Sequence, residues 1–238
     1  MKLPLISLVV VFNEKGKNFE NSLNSLLNQT YDNKEIIVIN YGKKEFELSS
    51  TDQLKLFFIQ ESTMATALNK GLQEAKGEYI VFVEEETEIH ESYLENGYKS
   101  LNRLNFDAII TATMYSDGEI VIPIETSRWA KNLLFGLNFE LSNIFLRKSI
   151  CSEFVENERL LMAWEFWIKT LRGRKLHCNR EYVGTFMQRP LEAFEKDELE
   201  WKKRKLAIME KYQAEVGGIF QKMKYKSKIR ALYKEIGK

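Results

Sequence analysis

A chain of 238 residues, 44 % of them hydrophobic, can bury a sizeable core and is long enough for one large domain with an appendage. Its 35 basic and 34 acidic side chains leave a formal charge of +1, which excludes a dedicated duplex nucleic-acid binder, so any electrostatic partner site has to be local. Two cysteines, Cys151 and Cys178, form no Cys-x-x-Cys pair and no disulfide framework, and a reducing, cytoplasmic compartment is the simplest expectation.

The first residues carry one positive charge and an apolar run without a small-residue cleavage site, so they read as a core strand rather than a leader. Leu5 to Phe12 is that strand, closed by Asn13-Glu14-Lys15-Gly16. From Asn18 to Gln29, Phe19, Leu23, Leu26 and Leu27 recur at helical spacing. Glu35 to Asn40 is a second strand ending at Tyr41-Gly42, Leu54 to Gln60 a third, and Ala65 to Lys76 a helix with Ala67, Leu68 and Leu72 on its inner face.

Gly77 to Thr87 starts as a turn, runs as a short apolar strand and ends in three carboxylates, Glu84, Glu85 and Glu86. A strand buried on both faces belongs to a parallel sheet covered by helices, and its polar end emerges at the carboxyl edge, where open α/β sheets bind ligands. Glu84 and Glu86 share one face of an extended chain, so together they suit a hard divalent cation; a solvated acidic loop is the bland alternative. Strand and helix alternate through about 85 residues, which builds a parallel sheet with right-handed crossovers.

A helix follows from Glu91 to Leu104 and a strand from Asp107 to Thr113, after which the alternation weakens. Glu119 to Ile124 reads as an edge strand containing Pro123, Ser127 to Leu137 as a short helix, and Asn143 to Arg147 as a strand. Arg159 to Leu171 is a strongly apolar helix, and Lys175 to Cys178 and Tyr182 to Met187 are two short strands. Pro190 then opens a helical tail. Its first helix, Leu191 to Tyr212, runs from acidic to basic in the order that complements a helix dipole, and its charge predicts a largely exposed element. Gly217-Gly218 breaks the tail before a second, basic helix from Ile219 to Ile236. No run approaches about 18 apolar residues, so no membrane span is expected.

Specific residues sharpen this outline. Leu5 to Glu14, the run Ser22-Leu23-Asn24-Ser25-Leu26-Leu27-Asn28-Gln29-Thr30-Tyr31 and Glu35 to Ile39 resemble the opening of family 2 glycosyltransferases with the GT-A fold. Ala67-Leu68-Asn69-Lys70-Gly71-Leu72, with Ala75 to Phe82, is similar to the block leading into that family's metal motif. Trp164-Glu165-Phe166-Trp167 resembles the helix after its catalytic acidic pair. The resemblance covers about residues 4–189. It implies a Rossmann-like, mostly parallel sheet flanked by helices, with residues 1–113 as a nucleotide-binding half, 114–189 as an acceptor half and 190–238 as the helical tail.

It further implies a nucleotide-sugar donor, a saccharide or lipid-linked acceptor, and a divalent cation, Mn or Mg, at Glu84 and Glu86. Nucleotide contacts fall on Phe12, Asn13, Glu14, Asn40, Tyr41, Asn69 and Glu85. Several positions depart from the family pattern. Glu84-Glu85-Glu86 replaces an aspartate motif, and Asn40-Tyr41-Gly42-Lys43 replaces Asp-Asp-Gly-Ser. Phe12 stands for a tyrosine, Leu68 for an arginine and Thr63 for a glycine. Met162-Ala163 occupies the catalytic acidic pair, and Glu165, two positions on and about 200° around a helix, is the remaining carboxylate there. Two readings follow: a glycosyltransferase, or a non-catalytic descendant that binds sugar or stabilises a partner.

Other residues carry weaker signals. His90 is close in sequence to the acidic triplet, and His177 beside Cys178 lacks a third metal ligand nearby. Arg147 and Lys148 could reach a diphosphate or be an ordinary strand end, while Trp164 and Trp167 are core residues or line a sugar cleft. In the tail, lysines interleave with Ile219, Phe220 and Met223, which suits peripheral contact with the inner membrane face as well as a solvated helix packed on its own domain.

Overall fold

The computed structural model describes residues 3–14, 16–48, 51–85, 87–123, 133–135, 140–157, 159–187 and 198–237. In chain order its first half comprises β1 (Ile6–Phe12), α1 (Lys17–Leu27), β2 (Lys34–Asn40), β3 (Leu54–Phe58), α2 (Met64–Glu74) and β4 (Tyr79–Glu84). Then come β5 (Thr87–Ile89), α3 (Tyr93–Leu104), β6 (Ala108–Tyr115), β7 (Ile120–Val121), β8 (Ile144–Arg147), α4 (Arg159–Leu171), β9 (Leu176–Met187), α5 (Glu198–Lys211) and α6 (Ile219–Glu235).

Every residue of β1, β2 and β4 is buried, as their unbroken apolar runs require of strands covered on both faces. The four strands β3-β2-β1-β4 are parallel, and the sheet continues through β8, β6, β9 and β5, with β7 on β6, to nine strands among the described residues. β8 is short and antiparallel to both β4 and β6, so the sheet is mixed and curls.

Helices cover both faces. One core joins the α2 residues Ala65, Ala67 and Leu68 to α4 and to alternate sheet residues such as Ile80 and Phe82; the other joins Phe19, Leu23, Leu94 and Leu101 of α1 and α3 to Val81 and Val83. A motif residue just past α1 holds the layers together. The Gln29 side chain, 4 % exposed, donates to the His90 carbonyl at 2.8 Å and accepts from the Leu94 N–H at 3.1 Å.

Three features differ from expectation. β9 is a single strand rather than two, because register shifts opposite Thr111 and Ala112 let it bypass its polar middle, Arg180 and Glu181. β5 is a strand hidden behind the acidic triplet, paired antiparallel to the end of β9. α5 is less exposed than its charge suggests, since Leu206, Ile208 and Met209 enter the same core as α4. The helix expected over 127–137 lies outside the described residues apart from a 3₁₀ turn at Leu133–Phe135, as does the tail's start at 190–197. Among the described residues, no helix is long and apolar enough to cross a membrane.

Candidate functional site

Strands β1, β2 and β4 reach the carboxyl edge in register: Val11 pairs with Ile39 and Glu84, and Phe12 with Asn40. This edge lies where the strand order reverses, β1 being followed by β2 on one side and flanked by β4 on the other. Past the last rung the ladder continues into the loops. The Tyr41 N–H donates to the Phe12 carbonyl at 3.0 Å, the Glu61 N–H to the Gly42 carbonyl at 3.1 Å, and the Ser62 N–H to the Tyr41 carbonyl at 3.2 Å.

Asn40 shapes the turn with its own side chain. Its Oδ1 accepts from the Gly42 N–H at 3.0 Å and its Nδ2 donates to the Lys44 carbonyl at 2.7 Å. Gly42 lies against the Asn13 backbone, where a β-carbon would come within 1.8 Å of the carbonyl oxygen. The result is an open cleft of about 870 Å³ lined by residues 12–14, 40–46, 61 and 62. Its floor is aromatic: Phe12, 1 % exposed, packs on Phe19 and Phe46 with ring centroids 4.2 and 4.8 Å away. The rim is charged, with Lys43 and Lys44 exposed beside Glu14, Glu45 and Glu61.

Glu84 and Glu85 of the acidic triplet stand differently toward this cleft. Glu85 is half-buried, and its Oε2 accepts from the Asn13 N–H at 3.4 Å, tying the β4 end to the β1 end. Glu84 is 4 % exposed and, by strand alternation, shares the face of Ile80 and Phe82 with α4. Its N–H donates to Ser142 Oγ at 3.0 Å, and that hydroxyl lies 3.4 Å from Glu84 Oε2 and 3.1 Å from Thr87 Oγ1. Tyr93 donates to the Ser142 carbonyl at 3.1 Å, and burial pushes its phenol pKa up, so it remains a neutral donor. Glu86 lies outside the described residues, and no group of three acidic, histidine or cysteine side chains poised for a metal occurs among the described ones. Oxygen-only donors such as Glu84 and Glu85 match the chemistry of a hard cation.

The remaining candidates stand elsewhere. Asn69 clasps the segment before α4: its Nδ2 donates to the Phe154 carbonyl at 2.9 Å and its Oδ1 accepts from the Phe154 N–H at 2.8 Å. Ala163 is 4 % exposed in the core. Glu165, 3 % exposed, is held by the tail, accepting from Lys211 Nζ at 2.5 Å and from the Tyr212 hydroxyl at 3.1 Å. Burial, and next the Glu165 charge, raise the Tyr212 pKa. Trp167 is fully buried, and Trp164 donates from Nε1 to the Leu133 carbonyl at 2.6 Å; both are core residues.

His90 sits under Tyr182 and bonds Ser92 through Nδ1 at 3.0 Å. Because β8 runs antiparallel to β4, Arg147 pairs opposite Tyr79 at the amino edge of the sheet, bonded to Glu78 at 3.2 Å, so neither it nor Lys148 reaches the cleft. Lys43, named in the sequence only as the end of the Asn40-Tyr41-Gly42-Lys43 tetrad, joins the cleft, as do Lys44, Glu61 and Ser62, which were not singled out; the signal for Lys44 was a Gly-containing turn directly after a strand. Ser142 had none, being 58 residues from Glu84.

Residues 7–154 match the family described as glycosyl transferase family 2. An uncharacterized glycosyltransferase of Rickettsia felis is 27 % identical over 201 residues, covering 76 % of this chain and 33 % of its own length. Glycosyltransferase GlyA of Streptococcus pneumoniae is 34 % identical over 104 residues, 41 % of this chain and 15 % of that protein. The chain therefore spans only part of these longer relatives. Among solved structures, S. aureus TarS 1-349 in complex with UDP-GlcNAc superposes with a TM-score of 0.64 at 16 % identity, over 85 % of this chain and 66 % of that one. The mannosyltransferase PcManGT from Pyrobaculum calidifontis, in complex with GDP-Man and Mn2+, superposes with a TM-score of 0.58 at 16 % identity, over 91 % and 65 %. These likenesses establish the GT-A fold. By the match over most of its length, the chain belongs to glycosyl transferase family 2.

Proposed function

We propose that this chain transfers a sugar from a nucleotide-diphosphate donor to a saccharide or lipid-linked acceptor, with the donor in the cleft between residues 12–14 and 40–46. The observation that carries this reading is the cleft's position at the reversal of strand order in a family 2 chain, with the Glu85 to Asn13 bond tying the β4 end to its β1 wall. The Tyr41 ring supplies a stacking surface for the base, and the rim cations Lys43 and Lys44 face the donor's negative charge. Glu84 and Glu86 would hold a divalent Mn or Mg ion, which when bound offsets the charge developing on the leaving diphosphate.

A second reading is a non-catalytic member that binds sugar or stabilises a partner. It is favoured by Ala163 and by Glu165, whose carboxylate is engaged by Lys211 and Tyr212 instead of the cleft. General-base catalysis contributes about a hundredfold or more, so its absence would slow turnover by that factor while leaving binding. Calorimetric titration with UDP- and GDP-sugars, with and without Mn, separates the readings. Donor binding with release of free nucleotide once saccharide or lipid-linked acceptors are added supports the first, binding without release in their presence the second, while no binding to any donor overturns the donor cleft. Glu84→Ala with Glu86→Ala is expected to abolish metal dependence of that binding, and an unchanged metal response would remove the cation assignment.

A further inference from the structure

Helix α6 carries two stripes, and only one is covered. Tyr225, Ile229 and Leu232, spaced by four and three residues, enter the core shared with α4 and α5. The Tyr225 hydroxyl donates to the Met209 carbonyl at 3.0 Å and Lys228 Nζ to the Phe135 carbonyl at 3.1 Å, which fixes the helix to the body. On the opposite side Ile219, Met223, Lys226, Arg230 and Lys234 follow one another at intervals of four, three, four and four, with Phe220 beside the first. Ile219 is 78 % exposed, Phe220 87 % and Met223 64 %, whereas no other exposed large hydrophobic residue among the described ones exceeds 48 %. Gly217 and Gly218, the latter at φ +76°, lead into this turn with open space around both, so the apolar tip projects.

The tip is ringed by charge of one sign. Lys222, Lys224, Lys226, Lys228, Arg230 and Lys234 are all exposed, and no acid lies between Glu215 and Glu235. The whole chain has a formal charge of only +1, so this helix concentrates cations within a remainder that is net acidic. A second copy packed across a two-fold axis would set these cations against themselves. An anionic bilayer satisfies both halves of the pattern: lipid phosphates for the lysines and acyl chains for the tip.

We propose that α6 docks the chain on an anionic membrane surface, lying in the interface with Ile219, Phe220 and Met223 in the headgroup–acyl boundary and Lys222, Lys224, Lys226 and Arg230 on lipid phosphates. The test is co-sedimentation with phosphatidylcholine vesicles containing phosphatidylglycerol, against phosphatidylcholine alone. Expected are preference for the anionic vesicles, release by added salt, and a roughly 30-fold loss in Lys222→Ala with Lys226→Ala, about fivefold per cation. Ile219→Ser, Phe220→Ser and Met223→Ser together should cost at least about 100-fold while leaving the thermal melt unchanged, since all three are exposed. As a folding-independent arm, a Phe220→Trp chain should gain a blue-shifted emission quenched by brominated lipid. Equal partition of the wild type and the triple serine variant, an unresponsive Trp at 220, or self-association in sedimentation velocity that the serine variant abolishes would each overturn the proposal, the last by assigning the patch to a second copy.

Discussion

Replacing Gly42 by alanine should force apart the walls of the cleft between residues 12–14 and 40–46. The added β-carbon would lie 1.8 Å from the Asn13 carbonyl oxygen and 2.8 Å from its carbon, and the obstacle is backbone, which cannot rotate away. Non-bonded atoms settle at about 3.5 Å, so the ends of β1 and β2 must part by roughly 1.5 Å or more. That movement breaks the bond from the Tyr41 N–H to the Phe12 carbonyl and loosens the one from the Glu61 N–H to the Gly42 carbonyl, now 3.0 and 3.1 Å. At about 1 kcal/mol for each bond and about 1–3 kcal/mol for overpacking, the loss comes to about 3–5 kcal/mol. Urea denaturation would read this as a lowered midpoint at constant slope, and calorimetry as weakened nucleotide binding. A variant with the wild-type midpoint would refute the close approach of Gly42 to Asn13, whatever the nucleotide result.

Two further outcomes are expected. Glu165→Ala removes the partner of the buried Tyr212 hydroxyl and of Lys211, and should cost about 1–3 kcal/mol in denaturation while leaving donor affinity unchanged; the Lys211 share is discounted because that side chain is 56 % exposed. Loss of turnover without loss of stability would instead make Glu165 catalytic. Burial pushes Tyr31 and Tyr225 up to about 12, so the folded chain holds these protons more tightly than the unfolded chain does. Stability is then complete below about pH 10 and falls as pH rises towards 12. Ultraviolet titration of the ten tyrosines should show a late fraction that ionises with unfolding, and uniform titration near pH 10 in a folded chain would contradict this.

The parallel half of the fold is written in the sequence because its strands are pure apolar runs between glycine- or asparagine-bearing turns, and the order of β1 to β4 follows from them. The other half is not, for reasons visible in particular residues. β5 is three residues long and follows directly on the acidic triplet, so it has no pattern of its own. Arg180 and Glu181 mimic a turn inside β9, and only the partner strand shows that they are bypassed. Whether Arg147 reaches a diphosphate or is an ordinary strand end depends on the direction of β8, which periodicity does not encode. Within the site, Phe12, Asn13, Glu14, Asn40 and Tyr41 do line one cleft with Glu85 at its border, but side-chain use was illegible. The amide of Asn40 serves its own turn, and that of Asn69 serves Phe154, because both bonds depend on backbone groups that a sequence does not orient.

The shared core of α4, α5 and α6 bears on how the molecule can be divided. Leu206 and Met209 of α5 share the core of α4, α6 packs on α5 through Tyr225 and Ile229, and Glu165 inside α4 depends on Lys211 and Tyr212 for its partners. Shortening the chain to the segment that matches the family, 7–154, would discard α4, and stopping at residue 189 would leave α4 with an uncovered apolar flank and an orphaned carboxylate. The recognisable stretch and the folding unit therefore do not coincide. Screens that trim this chain to its family match would report insolubility, and the cause would be a missing wall rather than a defective site.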